Sequence, residues 1–300
     1  MFSPRSAAAA WKKLRRAYRA CRVRHNMTPF HVTAGLIARV DRFGATFNLA
    51  RFSALAVLPE NPFSVEIRRF GTGEGAAVKV RHPLLRGKNR VYGFSAADSS
   101  LLDELLDFYS ADALSCTVFV PYGEMNPTLF QLLARAGFWS SGTGIVPVFV
   151  PEDHIPPLLS EIDVRVSGGE EKDLYLDLFQ EAFAEWPEQE PEYRAVQWAE
   201  DSLPGGVRYI AESDGKPVGM ASFPVLGRVG HLGTCGVLPN FRGRGVHSAL
   251  IRQRLRDALS LDCDLVVGGN SPGTTAFRNF ERAGLRLVPT GSAWRESPAT

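Results

Sequence analysis

Two stretches of this 300-residue chain repeat each other at a fixed spacing. Leu114–Val120 (LSCTVFV) lies without a gap on Leu261–Val267 (LDCDLVV), so Leu114 falls on Leu261, an offset of 147 residues. The same offset lays Phe130–Phe138 (FQLLARAGF) on Phe277–Leu285 (FRNFERAGL). Each copy reads as a buried strand, a loop, a helix that ends at glycine, and a further strand (Ile145–Val150 in the first, Leu285 onward in the second). Gly137 and Gly284 suit the position just past a helix, where positive φ is free of strain only without a Cβ. A helix precedes the strand in each copy, Leu101–Tyr109 and Ser248–Leu259. Two matches in register, half a chain apart, predict a duplicated α/β domain.

The loops ahead of those helices differ. The second copy runs Val237-Leu238-Pro239-Asn240-Phe241-Arg242-Gly243-Arg244-Gly245-Val246-His247 into its helix. An apolar strand that passes through a glycine loop into a helix is a phosphate cradle. Glycine allows close backbone approach, the first helical N–H groups have no internal partner, and the helix dipole favours an anion. The first copy offers Gly93-Phe94-Ser95-Ala96-Ala97-Asp98, with one glycine and no arginine. Asp98 would cap its own helix and repel a phosphate. Only the second half is expected to bind a phosphorylated cofactor.

Composition bounds the alternatives. The apolar fraction of 45% supports well-packed cores. No apolar run approaches the ~18–20 residues of a membrane span, so no membrane partner is expected. Met1–His25 has charges without a following apolar region, unlike a secretory signal. Cys21, Cys116, Cys235 and Cys263 are widely spaced with no CxxC pair, which fits reduced thiols in a cytoplasmic protein and no metal site. Residues 1–40 hold nine Lys/Arg and no acid, although the net charge of the whole chain is only +2. Residues 1–25 read as a basic amphipathic helix belonging to the N-terminal domain, with Ala7, Trp11, Leu14, Tyr18 and Cys21 on one face. That basic face is either solvated or set against an anionic surface. The body of the chain is acidic and Arg-Gly-Arg-Gly is a single loop, so a nucleic-acid partner is not expected.

Pro151, Pro156 and Pro157 mark a boundary. The division is then a basic helix over 1–25, a first domain over 26–152 and a second over 153–300. The second half reads as helices over Glu170–Ala184 and Pro191–Leu203, then strand Val207–Glu212. The turn Ser213-Asp214-Gly215-Lys216 leads to strands Pro217–Val225 and His231–Leu238, then the loop, a helix, strand Asp264–Gly268, a helix and a last strand. Asp-Gly between apolar runs is a hairpin signal.

This order and loop resemble the GCN5-related N-acetyltransferase (GNAT) superfamily, whose signature Arg/Gln-x-x-Gly-x-Gly/Ala follows a strand ending in Val-x-Pro. Here it stands as Val237-x-Pro239 and Arg242-x-x-Gly245-x-His247. The likeness covers roughly residues 160–294, and the first half looks like a degenerate copy, as in tandem-GNAT proteins. The resemblance implies a fold of two α/β domains, each a mixed, mostly antiparallel sheet flanked by helices. It implies acetyl-CoA as cosubstrate, with pantetheine along Val237 and Leu238, the pyrophosphate on the N–H groups of Arg244, Gly245, Val246 and His247, and Arg242 and Gly243 also at the cofactor. It also places Asn270 and Phe280 at the cofactor. Two positions depart from the family pattern. His247 replaces the last Gly/Ala, and its ring either adds a phosphate contact or points to solvent, the orientation we expect. Phe280 stands where many members carry the tyrosine that protonates the leaving thiolate, and it has no proton to give.

Acetyl transfer to an amine also needs a proton acceptor. Between Gly230 and Leu238 there is no carboxylate, which leaves His231 as the candidate base or as a structural histidine at a strand end. Strand alternation would place His231, Gly233, Cys235 and Val237 on one face. Cys235 reads as a packing cysteine rather than an acyl carrier. An oxyanion would be held by the N–H of Val237 or Leu238. Phe183, Trp186, Glu188, Glu190, Glu192, Tyr193 and Trp198 would face the acceptor, an amine-bearing small molecule or peptide. The sequence thus reads as an acetyl-CoA-dependent N-acetyltransferase acting by direct attack in a ternary complex. Its alternative is a non-catalytic acyl-CoA-binding or interaction module. Oligomeric state is not legible.

Overall fold

The computed structural model describes residues 30–71, 75–151, 161–184, 191–269 and 272–296. The basic segment 1–25, Pro156 and Pro157 of the boundary, Trp186, Glu188, Glu190 and Asn270 lie outside them. Thr33 caps the first helix, α1 (Ala34–Ala56), its side chain accepting from the Leu36 N–H at 3.2 Å. The buried positions Ile37, Val40, Phe43, Phe47, Phe52 and Leu55 recur at helical spacing and fix the face turned inward.

The first copy continues with strands β1 (Val65–Phe70), β2 (Gly75–Val80) and β3 (Arg90–Tyr92), then α2 (Leu102–Ser110), β4 (Thr117–Val120), α3 (Pro127–Arg135) and β5 (Phe138–Phe149). The second runs β6 (Ile162–Val166), α4 (Lys172–Ala182), α5 (Pro191–Asp201), β7 (Val207–Ser213), β8 (Lys216–Phe223), β9 (Val225–Leu226), β10 (Val229–Leu232) and β11 (Cys235–Val237). It ends with α6 (Val246–Ser260), β12 (Leu265–Gly268), α7 (Thr275–Arg282) and β13 (Arg286–Glu296). The repeat is therefore structural. Asn126 and Thr274 cap α3 and α7 in the same way, and Gly137 and Gly284 follow them at φ +85° and +96°.

The two copies exchange their last strands. One sheet runs β1-β2-β3-β4-β13-β5-β12-β10-β9 and a second runs β11-β8-β7-β6. By sequence β5 ends the first copy, yet it pairs with β12 of the second (Val266 with Phe149, Val267 with Val148). Conversely, β13 ends the second copy and pairs with β4 of the first (Ser292 with Val120, Trp294 with Val118). The two exchanged strands also pair antiparallel with each other. Trp294 is accordingly buried in the first copy's core with Phe108, Leu129 and Phe138, while Phe149 packs on the second's. A division at 152/153 separates the copies along the chain but leaves each half without a strand of its own sheet.

The expected strand His231–Leu238 is broken. β10 lies parallel to β12 as far as Leu232 opposite Gly268. At Gly233 and Thr234 the chain turns away, and β11 pairs with β8 in the other sheet. Arg254 of α6 holds this break. Its side chain is fully buried and donates to the carbonyls of Leu250, Ser222 and Gly233 at 3.0, 3.1 and 3.4 Å. The result is a cleft between two parallel strands that opens toward their C-terminal ends.

Candidate active site

The glycine-arginine loop stands at the mouth of that cleft. Pro239–Phe241 make one 3-10 turn, and Gly243 and Gly245 take φ of +78° and +87°. Gly245 brings no capping side chain, and a Cβ on either glycine would meet nothing within 4 Å. The first intrahelical bond of α6 is Ala249 N–H to Gly245 O. The N–H groups of Val246, His247 and Ser248 therefore precede the ladder and are free to meet an anion at the positive end of the helix. Arg244 is exposed, with its guanidinium 5.1 Å from the Phe241 ring centroid. The residues present thus fit a diphosphate. Arg242, expected at the cofactor, is engaged within the protein. It reaches back to donate to Ala182 O at 2.8 Å and Val237 O at 3.4 Å, which ties the loop to the end of α4.

Backbone register decides which strand groups are open. Ser222 N–H donates to Thr234 O, and Leu238 N–H donates to Val218 O at 3.0 Å. Alternation along an antiparallel pair then turns the N–H of Val237 away from β8 and into the cleft. Of the two oxyanion candidates, Val237 keeps an open donor and Leu238 does not.

The two-residue break also shifts the phase of the strand. Leu232 and Cys235 both pack into the core under α6. His231 faces the other way, its ring 4.3 Å from the Phe47 ring and 6.1 Å from that of Phe43, both on α1. His231 and Cys235 thus lie on opposite faces, contrary to the alternation read from sequence. Burial pushes the Cys235 thiol up, away from the reactive thiolate.

Burial lowers the His231 imidazole to about 3, helped by the charges of Arg51 and Arg254. It stays neutral at ordinary pH, and its buried Nδ1 has no hydrogen-bond partner. Such a group takes up a proton poorly, which corrects its reading as a well-matched base.

The His247 ring turns inward, not to solvent. Its Nδ1 lies 2.9 Å from the Asn279 amide of α7, and burial lowers it to about 4. The small residue usual at this position is replaced by a ring that joins α6 to α7. Phe280 is buried beside it, and its ring would lie 3.1 Å from a Cβ on Gly268, at the end of β12.

On the α1 face of the sheet lies a cavity of about 1160 Å³. His231, Val267, Gly268 and Gly269 line one end, beside the splay, and Phe43 and Phe47 form its apolar roof. Sequence reading missed α1 here, although its aromatics at helical spacing were visible. Of the residues assigned to the acceptor, Phe183, Tyr193 and Trp198 pack against side chains of α4 and β7. Tyr193 stacks on Phe179, Phe183 lies 5.0 Å from the same ring, and Trp198 packs against Tyr175, Lys172 and Arg208. A buried chain also reaches the break from α5. Tyr175 donates to Asp201 at 2.9 Å, Gln197 donates to Asp201, and Gln197 donates to Thr234 Oγ1 at 2.7 Å. Among the described residues no His/Cys/Asp/Glu group could hold a metal ion.

In the first copy β3 and β4 are also parallel (Arg90 with Thr117, Val91 with Val118). Their helix start, however, is filled by the protein itself. Asp98 accepts from the Ser95 N–H at 3.0 Å and the Ser95 hydroxyl at 2.6 Å. That is the self-capping expected from the sequence, and it leaves no anion cradle there.

Residues 172–284 match the family model described as Acetyltransferase (GNAT) family. No curated protein matches the sequence. Among solved structures the chain is similar to a GCN5-related N-acetyltransferase from Kribbella flavida. Identity is 16%, coverage is 85% of this chain and 96% of that one, and the TM-score is 0.58. It is similar also to a conserved protein of unknown function from Bacteroides thetaiotaomicron, at 10% identity, 90% and 100% coverage and TM-score 0.58. A third is a tandem GNAT protein from the clavulanic acid biosynthesis pathway, at 14% identity, 91% and 98% coverage and TM-score 0.51. At these identities the likeness is one of fold.

Proposed function

Since residues 172–284 match the acetyltransferase (GNAT) family model, we propose that the chain transfers an acetyl group from acetyl-CoA to a primary amine, with both substrates bound together. The observation that carries this reading is the uncapped α6 start behind Gly243 and Gly245, set at the mouth of the β10–β12 splay. The N–H groups of Val246, His247 and Ser248 hold the pyrophosphate, and the open N–H of Val237 serves the cofactor chain or the developing oxyanion. Acetyl-CoA supplies an activated thioester carbonyl.

The acceptor enters from the α1 side and reaches the cleft beside His231. Its amine nitrogen forms a bond to the carbonyl carbon, the carbon–sulfur bond breaks, and the sulfur leaves with the electron pair. One proton leaves the nitrogen and one ends on the sulfur, giving an amide and free CoA. Neutral His231 accepts a hydrogen bond from the incoming amine and orients it. The amine must arrive deprotonated, so kcat/KM rises with pH along the acceptor's own titration and has no limb between pH 6 and 7. Phe280 offers no acid, which the leaving thiolate, with an ordinary thiol pKa of ~8.5, tolerates.

The test is release of free thiol from acetyl-CoA with a panel of amines, read beside the CoA-induced melting shift. Saturable release and a shift lost in Arg244→Glu support the reading. Absence of any shift overturns the cradle. A second reading, a non-catalytic acyl-CoA-binding module, rests on Phe280 and on the weak basicity of His231. A shift without turnover on any amine would favour it.

A further inference from the structure

The cavity under α1 does not stop at the second copy. From His231 and Gly269 it runs beneath α1 to Tyr92, Gly93 and Ser95, at the splay of the first copy. The sheet order from β12 to β3 is β12-β5-β13-β4-β3. Four inter-strand steps of ~4.8 Å span about 19 Å. A volume near 1160 Å³ exceeds the ~300–1,000 Å³ of ordinary small-ligand pockets.

Arg90 stands at the far end. Its Nη1 donates to Asn89 O at 3.1 Å and Thr117 Oγ1 at 3.0 Å, and its guanidinium lies 5.7 Å from the Phe119 centroid. Among the described residues no carboxylate pairs with it. Burial and the charge of Arg295 pull its pKa down, where an acidic partner would raise it. Of the acids that line the cavity, Glu124 is exposed and the other two are engaged by the protein. Asp41 accepts from the N–H groups of Tyr122 and Gly291, and Asp98 from Ser95. Arg51, the other guanidinium deep in the cavity, is paired with Glu200. A half-buried cation that faces a cavity and has no carboxylate of the protein on it calls for an anion from the ligand. The self-capped helix start at Asp98 excludes a second cofactor pyrophosphate as that anion.

Building on the transfer reading above, we propose that the cavity takes an elongated, peptide-sized primary amine. Its amine lies at the β10–β12 splay and its carboxylate, about 19 Å away, docks on Arg90. The first copy is then the distal half of the acceptor site. An extended chain gains ~3.3–3.6 Å per residue, so about five or six residues fill the span.

The experiment uses the full chain with acetyl-CoA and oligo-alanine peptides of two to eight residues, each as free acid and as C-terminal amide. We expect kcat/KM to peak near five or six residues. At that length the amide should fall at least tenfold below the acid, and Arg90→Gln should bring the acid down to the amide. Calorimetric titration of the same peptides into CoA-loaded protein reads the preference independently of turnover, and the melting temperature of Arg90→Gln reports its folding. Equal acid and amide at every length, in turnover and in binding, overturns the proposal. If the CoA melting shift and turnover persist in that case, the transferase reading stands and only the cavity assignment falls. Arg90-dependent binding of the acid without turnover supports the cavity assignment and overturns the transfer reading.

Discussion

Arg254 holds the break that parts the two sheets. A buried guanidinium without a carboxylate partner is expensive to desolvate, and here it holds Gly233 and Ser222 where β10 must part from β12. Arg254→Leu strands those carbonyls. We expect a loss of about 2–3 kcal/mol in urea unfolding and at least a tenfold weaker CoA titration, because the cleft loses its shape. His231 and His247 set the acid limb of stability. Each binds its proton near pH 6.5 in the unfolded chain but only near 3 and 4 when folded. Their contribution is fully present above pH 6.5 and lost as pH falls toward those values. At pH 5 each costs about 2 kcal/mol. His231→Leu should therefore lose less stability between pH 7.5 and 5 than the parent protein. An equal loss would mean that the folded ring titrates as it does in the unfolded chain.

At the scale of elements, the periodicities of the chain predicted most of what forms. Helices α4 to α7 and strands β7, β8 and β12 lie within a few residues of their expected bounds. Their signals are local: turn residues, caps and apolar spacing. The break at Gly233-Thr234 was not legible, because it is made by Arg254, far along the chain, reaching two carbonyls. That one tertiary contact changed the face of Cys235 relative to His231. The strand exchange was also invisible, since β5 and β13 carry the same apolar pattern whichever copy they join. Its tightest point is Gly291, where a Cβ would sit 1.9 Å from Val120 O. Gly291→Ala should lower stability by about 2–3 kcal/mol, and differential scanning calorimetry will read it. No loss would mean that β13 does not lie against β4 at this register.

At the scale of the whole molecule, residues 33–300 form one compact unit, and the exchange of last strands gives a reason. Neither copy completes its sheet alone, so halves cut near residue 152 should fail to fold separately. The full chain should show one cooperative transition. Two separate calorimetric transitions would contradict this. The backbone shape of the glycine-arginine loop was legible, because positive φ at Gly243 and Gly245 ahead of a helix is a local property of the sequence. The cavity under α1 was not legible, because α1, β3, β10 and β12 meet there from positions up to some two hundred residues apart.

The most direct test of the central claim is calorimetric titration of CoA into the parent protein and into Arg244→Glu, an exposed substitution that leaves the core untouched. If the α6 start holds the pyrophosphate, the parent binds CoA with a one-to-one stoichiometry. Arg244→Glu then binds at least tenfold more weakly, with an unchanged melting temperature in the absence of CoA. Equal affinity in the two proteins, or two CoA molecules per chain, would contradict the account.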